Sequence, residues 1–284
     1  MITTVALDDL RARRAAFGAA GERVAFVPTM GNLHEGHLEL VRRGRALAPR
    51  VVVSIFVNPL QFGAGEDLAS YPRTLERDAG LLEAAGADLV FAPAVAEMYP
   101  CPQAEQTRVE VPGLSDILCG AARPGHFVGV ATVVCKLFNM VRPDLALFGE
   151  KDFQQLAVIR RMVDDLCIPV EIVGVPTVRE VDGLAMSSRN GYLTAEERQR
   201  APALYRALRE AGQAVEKGAG NLEAVAGAAA AQIDAAGLRT DYVSIRRVTD
   251  LGLPAPQDTD LVILAAAYLG RARLIDNLRI RRGL

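Results

Sequence analysis

The sequence predicts an α/β protein, a Rossmann-like doubly wound parallel sheet followed by a smaller α+β domain. Three observations carry that expectation. Short apolar runs alternate with helical stretches through roughly the first 176 residues, the pattern of parallel strands joined by crossover helices. Arg50–Val57 (RVVVSIFV) is an almost unbroken β-branched run, as in a strand buried on both faces. From about Thr177 the composition shifts to Ala-rich helices and then to strand-like runs, so residues 1–176 and 177–284 are expected to form separate domains.

In chain order, Leu7–Ala20 reads as a helix, with Asp8 and Asp9 near its start and Arg11, Arg13 and Arg14 further on, as the helix dipole favours. The strand-like Val24–Val27 breaks at Pro28-Thr29-Met30-Gly31-Asn32, and helical spacing follows, with Leu33, Leu38, Leu40 and Val41 as its apolar positions. After Arg50–Val57 comes a loop, Asn58–Gly63, then a helix, Leu75–Ala85, and a short strand, Asp88–Phe91. Glu97–Gly125, rich in Pro and Gly, is expected to be loops with an added strand at Thr107–Val111. An apolar helix, Val128–Val141, precedes a strand, Leu145–Phe148, a turn at Gly149 and another helix, and Cys167–Val173 reads as the next strand. In the second domain Ala195–Lys217 and Asn221–Ala236 read as two helices joined by Gly218-Ala219-Gly220. Strand-like runs follow at Tyr242–Val248, Leu261–Leu269 and Arg273–Asp276.

Half of the 284 residues are hydrophobic and the formal net charge is −2, so no basic excess is available to hold a nucleic-acid backbone. The four cysteines are scattered without a C-x-x-C, which fits reduced thiols in a cytoplasm. The first residues mix acidic and basic side chains where a secretion signal needs an apolar core, and no apolar run reaches the ~18 residues of a membrane span. A cytoplasmic globular protein without membrane contact is expected.

Three stretches carry chemistry. The first is Val24–Leu40, VAFVPTMGNLHEGHLEL. A strand entering a helix through a Gly-containing turn offers backbone N–H groups and a helix N-terminus to an anion. His34 and His37 lie three residues apart here, on one helix face, with Gly36 leaving room beside them. Zinc fails on spacing, since H-E-x-x-H needs histidines at i and i+4. The plain alternative is a pair of histidines that only cap and pack. The second stretch is Asp144–Leu156, DLALFGEKDFQQL, where Lys151 at a strand end could neutralise a departing pyrophosphate. The third is Arg179–Tyr192, whose Ser187, Ser188 and Arg189 suit phosphate oxygens and whose composition also suits a solvated linker. His126 reads as a polar residue near a helix start, and Arg123 as a fixed positive charge in a loop.

The HEGH run resembles the H-x-G-H signature of the nucleotidyltransferase superfamily. Together with FVNPLQF, LFGEKDFQQL and DGLAMSSRN, in this order over essentially the whole chain, PTMGNLHEGHLELV resembles the pantothenate synthetase (pantoate–β-alanine ligase) family. The resemblance implies an ATP- and Mg²⁺-using enzyme that joins (R)-pantoate to β-alanine through an enzyme-bound pantoyl adenylate, releasing AMP and pyrophosphate. It also implies a cytoplasmic homodimer with a C-terminal lid domain. Carried over, Met30, Gly31, Asn32, Leu33, His34, Glu35, Gly36 and His37 form an ATP cradle, with His37 the general acid and His34 a phosphate ligand. Gly149, Glu150, Lys151 and Asp152 form a second ATP turn, Val178 meets adenine, and Met186, Ser187, Ser188 and Arg189 close over the triphosphate. Gln61 and Gln155 hold pantoate, and Gln61 also meets β-alanine. Two rivals remain: a class I aminoacyl-tRNA synthetase, which needs a basic tRNA-binding face this chain lacks, and a nucleotide-binding module without catalysis, which has no need of His34, His37, Lys151 and Arg189 together.

Overall fold

The run VAFVPT, apolar on both sides of its pleat, forms the strand around which the first sheet is ordered. The computed structural model describes residues 1–63 and 65–283. Its elements, in chain order, begin with β1 (Ile2–Thr4), α1 (Leu7–Ala19), β2 (Val24–Thr29), α2 (Glu35–Leu47), β3 (Arg50–Ile55), α3 (Leu75–Ala85) and β4 (Leu89–Phe91). They continue with α4 (Val95–Met98), α5 (Cys119–Ala122), α6 (His126–Val141), β5 (Leu145–Gly149), α7 (Phe153–Asp165) and β6 (Glu171–Val175). The last are α8 (Ala195–Arg200), α9 (Ala203–Glu216), α10 (Leu222–Ala235), β7 (Arg239–Arg247), β8 (Asp260–Leu269) and β9 (Ala272–Arg281). The chain packs as two units: Met1–Glu150 with Val158–Pro176, and Lys151–Ala157 with Thr177–Leu284. The segment directly after β5 therefore groups with the C-terminal unit, although its place in sequence is within the first 176 residues.

In the first unit a six-stranded parallel sheet runs β1-β4-β3-β2-β5-β6. Alternate residues serve opposite faces. Ala25, Val27, Val51, Val53, Leu145 and Leu147 pack with Leu38, Leu40 and Val41 of α2, while Phe26 turns to the other face, edge-on to Phe138 of α6 at 6.4 Å. Helices thus cover both faces, as a doubly wound sheet requires. Strand order reverses between β2 and β5, the place where such sheets bind ligands beyond the carboxyl ends of the strands. The pairing of β2 with β5 is confined to Ala25↔Leu145 and Phe26↔Ala146, whereas β2 stays paired with β3 as far as Thr29↔Ile55. Pro28, which has no N–H to give a second neighbour, lies where β5 has already parted from β2.

Two aspartates set the register at the amino ends of the strands. Asp88 accepts from Val51 N–H at 2.8 Å while its own N–H donates to Val51 O at 2.9 Å. Asp144 does the same for Val24, at 2.7 and 2.9 Å.

The second unit is an antiparallel β7-β8-β9 sheet. Residues 261–267 of the central β8 are buried throughout, and Leu204, Leu208, Ala211 and Val215 of α9 share a core with Leu261, Ile263, Ala265 and Ala267 on one of its faces. Gly212 lets α9 come close, since a Cβ there would meet Leu278 Cδ2 at 2.9 Å.

Several expectations need correction. Thr107–Val111 forms no strand; the N–H of Val109 is taken by Thr132 Oγ1 at 2.9 Å instead. Cys167 lies in a left-handed turn that ends α7, φ +50°, so β6 begins only at Glu171, beyond Pro169. Ala195–Lys217 is two helices, α8 and α9, because Pro202 offers no N–H to continue the first. The run expected at Arg273–Asp276 is part of a ten-residue strand, and the edge strand β1 was not anticipated. Replacing Asp88 by Ala is expected to lower stability by about 1–3 kcal/mol in urea unfolding, since the Val51 N–H loses its acceptor. A loss below roughly 0.5 kcal/mol would mean that water substitutes for the carboxylate.

Candidate active site

At the carboxyl end of β2 the chain turns through Gly31 (φ +80°) and Asn32 (φ +50°) into α2. A fully buried carboxylate, Asp78 on α3, holds this turn: it accepts from Asn32 N–H at 2.8 Å, Leu33 N–H at 3.0 Å and Thr74 Oγ1–H at 2.9 Å. Gly31 is needed for more than its dihedral, because a Cβ there would stand 3.1 Å from Asp78 Oδ2. Gly31 N–H in turn donates to Thr29 Oγ1 at 3.2 Å.

His34 is the N-cap of α2, its Nδ1 accepting from Gly36 N–H at 3.2 Å, and His37 Nδ1 accepts from His34 N–H at 3.3 Å. The rings lie 4.0 Å apart, centre to centre. Because both Nδ1 atoms accept, the proton of each neutral ring belongs on Nε2. The histidines therefore do cap, as the plain alternative held, and the capping fixes their tautomers. The expectation is that the turn's backbone N–H groups face an anion. Those of Gly31, Asn32, Leu33, His34 and Gly36 already have acceptors within the fold. Met30, Asn32, His34 and His37 are half-buried, Leu33 is buried, and Glu35 is exposed and paired with Arg42.

Gln61 joins Met30 in the first unit. Its Nε2 lies 3.2 Å from Met30 Sδ and its Oε1 accepts from Asn58 Nδ2 at 3.0 Å. Asn58, 1% exposed, also donates to Gly129 O at 3.1 Å and accepts from Tyr99 O–H at 2.8 Å. Burial pushes the Tyr99 phenol well above its usual range, so it remains a donor. Gly149 ends β5, and Glu150 and Lys151 follow on a 3₁₀ turn.

Lys151, Asp152 and Gln155 belong to the second unit, together with the third stretch. Asn277 Nδ2 donates to Lys151 O at 2.9 Å. Its neighbour Asp276, 4% exposed, takes both fork nitrogens of Arg179 at 2.7 and 2.8 Å, and that guanidinium lies over the Tyr205 ring at 3.5 Å. Arg179–Tyr192 is thus an anchored hairpin, with an isolated bridge Arg179↔Ala185 and Gly183 at φ +93° in its turn. Met186 N–H donates to Val178 O at 3.0 Å, which brings two of the expected nucleotide residues side by side. Ser187 caps the 3₁₀ turn Ser188–Tyr192 by accepting from Arg189 N–H at 3.3 Å. Lys151 Nζ lies 3.9 Å from Asp152 Oδ2.

Sequence reasoning gave no role to Asp78, Asn58, Tyr99, Asp276 and Asn277. Asn58 lay inside the quoted FVNPLQF run, and the Thr74–Asp78 spacing of one helical turn was the only other hint. Among the cysteines, Cys119 is buried, Cys135 is half-buried with its thiol pushed up by burial, and Cys101 and Cys167 are exposed.

A doubly wound sheet whose switch point carries a side-chain-lined strand–turn–helix defines a nucleotide-binding α/β protein. The comparisons narrow that class. A family model described as pantoate-beta-alanine ligase matches residues 2–279. A pantothenate synthetase of Thioalkalivibrio sulfidiphilus is 66% identical over 92% of this chain and 91% of its own. The crystal structure of pantothenate synthetase from Thermus thermophilus superposes with a TM-score of 0.90 at 51% identity, covering 98% of this chain and 99% of the other. A pantoate–β-alanine ligase from Francisella tularensis, solved in complex with β,γ-ATP and β-alanine, superposes with a TM-score of 0.82 at 33% identity, covering 98% and 97%. The chain belongs to the pantoate–β-alanine ligase family. It is a ligase of the kind that makes pantothenate from pantoate and β-alanine.

Asp78→Asn is expected to destabilise the first unit by about 1–3 kcal/mol, because an amide turns an N–H toward one of the two backbone donors. Chemical denaturation reads the loss, and wild-type stability would show that the carboxylate does not hold the turn.

Proposed function

We propose that this chain condenses (R)-pantoate with β-alanine in two steps, consuming ATP to AMP and pyrophosphate through an enzyme-bound pantoyl adenylate. The full-length family match carries the reading. The paired histidines at the switch point and the Lys151 turn after β5 support it.

In the first step a pantoate carboxylate oxygen bonds to the α-phosphorus and the bond from that phosphorus to pyrophosphate breaks. Negative charge grows on the phosphoryl oxygens. His34 and His37, with Nδ1 engaged by backbone N–H, have Nε2–H as their donor, and His37 acts as the acid toward the departing pyrophosphate. Met30 to His37 and Gly149 to Asp152 contact the ATP, Lys151 neutralises phosphate charge, Val178 meets adenine, and Met186 to Arg189 close over the triphosphate. Gln61 and Gln155 hold pantoate; a neutral amide both donates and accepts, which suits hydroxyls beside a carboxylate. In the second step the β-alanine amine, met by Gln61, attacks the acyl carbon, the bond to AMP breaks and the nitrogen loses a proton. The mixed anhydride is already activated, so no cysteine thioester is needed.

Among the described residues no three His, Cys, Asp or Glu side chains come together as a metal cage. Mg²⁺ is suited to a site of phosphate oxygens and water with one or two carboxylates, so the fit is to a cation carried on the triphosphate, where Asp152 of the Lys151 turn would be available as a carboxylate. When bound, it supplies further charge neutralisation at the phosphates. Among the described residues no helix is long and apolar enough to cross a membrane. A cytoplasmic homodimer is part of the proposal and rests on the family resemblance.

With ATP, Mg²⁺, pantoate and β-alanine the expected products are AMP and pyrophosphate, identified by chromatography; ADP and phosphate would refute the reading. His37→Asn keeps an acceptor for the His34 N–H and removes Nε2. It is expected to lower pantoate-dependent pyrophosphate–ATP exchange about a hundredfold, ~3 kcal/mol, at a melting temperature close to the parent's. Undiminished exchange would remove His37 from the chemistry.

A further inference from the structure

Arg123 and His126 take no part in the steps above, yet both side chains converge on one main-chain atom, the carbonyl oxygen of Gln61. His126 Nδ1 lies 2.8 Å from it and Arg123 Nη2 lies 3.3 Å away. His126 Nε2 faces Arg123 Nη1 at 3.0 Å. A guanidinium nitrogen can only donate, so Nε2 accepts, the ring proton sits on Nδ1, and Nδ1–H is given to the Gln61 carbonyl. Arg123 is fixed in turn by Glu66, which meets its Nε at 2.7 Å and its Nη2 at 2.5 Å. That guanidinium holds the Glu66 carboxyl below its usual range. The result is a directed relay from Glu66 through Arg123 and His126 to Gln61.

The other side of the same peptide is closed by α6. Gly129 lies against the Pro59–Gln61 turn so tightly that a Cβ would stand 2.3 Å from Leu60 O and 2.7 Å from Gln61 N. At the far end of the side chain, Oε1 is held by Asn58, while Nε2 has a thioether sulfur, a weak acceptor, as its neighbour. The residue is therefore gripped at its main-chain oxygen, beside its main-chain nitrogen and at its amide oxygen, and its amide N–H₂ has the weakest partner.

We infer that His126 and Arg123 are positioning residues for Gln61, setting the aim of its amide toward pantoate and β-alanine by locking its peptide against the start of α6. The inference rests on the proposed reading of Gln61 as the amide that holds those two substrates. A histidine that merely begins a helix would affect folding without sorting one substrate from another.

The test is steady-state kinetics on the full chain, with KM measured separately for pantoate, β-alanine and ATP, beside thermal unfolding. His126→Ala is expected to raise KM for pantoate and β-alanine about tenfold, the worth of roughly one well-made hydrogen bond, while KM for ATP stays within about twofold. His126→Asn should recover most of the loss, since its Nδ2–H stands where Nδ1–H stood. Arg123→Lys, which cannot fork onto Glu66, should raise the same two constants by a smaller factor and covers the case in which His126→Ala does not fold. The doubly substituted His126→Ala/Gln61→Ala chain should be no worse than Gln61→Ala alone, because His126 acts through Gln61. Unchanged KM values in folded His126→Ala and Arg123→Lys, an equal rise for ATP, or full additivity with Gln61→Ala would overturn the inference while leaving the role of Gln61 standing. Unchanged pantoate and β-alanine constants in Gln61→Ala would instead sink the reading of Gln61 and the inference with it.

Discussion

The carboxylate of Asp78 is the interaction on which the first site depends. It is shut away from solvent, and a buried charge is tolerated only where hydrogen bonds compensate it. The compensation comes from Asn32 and Leu33 N–H and the Thr74 hydroxyl, so the charge and the turn stabilise each other. Asn32 can remain left-handed, and α2 begins where His34 can cap it. Everything that the histidines offer chemically follows from that starting point, since their Nδ1 atoms are engaged by backbone and their proton-bearing nitrogen is Nε2.

The second unit uses a similar device. Asp276 is buried beneath Arg179, and Asn277 reaches from the same point of β9 to the carbonyl of Lys151. One adjacent pair of residues on a regular strand thus fixes both the base of the 179–192 hairpin and the main chain of the Lys151 turn. Removing one partner of such a pair typically costs ~3–5 kcal/mol, because the other is left buried and unpaired. Long separations in sequence are closed by short polar contacts at the edge of a well-packed core.

That division explains what the sequence could disclose. The parallel sheet was legible because β2, β3 and β5 are buried on both faces and carry apolar runs. The first motif was legible because two histidines in one turn are rare. Asp78 was not, since an acidic residue in the first turns of a helix is ordinary and Glu76 beside it is exposed. Nor was the link from Asn277 to Lys151, because no periodicity reports a contact between residues 126 positions apart. Local backbone rules account for the misplaced boundaries: Pro202 divides an Ala-rich helical pattern, and Pro169 delays β6. Propensity could not settle Thr107–Val111, where Thr132 offered the backbone another partner.

The same contacts separate the cations that sequence alone leaves equivalent. Arg123 and Arg179 each meet a carboxylate with two fork nitrogens, and Arg198 lies between Asp182 and Glu180. Such guanidiniums are committed to the fold, and a phosphate could recruit them only by displacing a carboxylate already in place. Lys151 differs. Its side chain is 18% exposed as a whole, and its neighbour Asp152 stands at 3.9 Å, near the limit of an ion pair. A cation that is only weakly neutralised gains more from a new opposite charge than one already held in a forked ion pair. The fold thus commits its best-paired arginines to structure, while Lys151 keeps a side chain whose charge is only weakly met within its own unit.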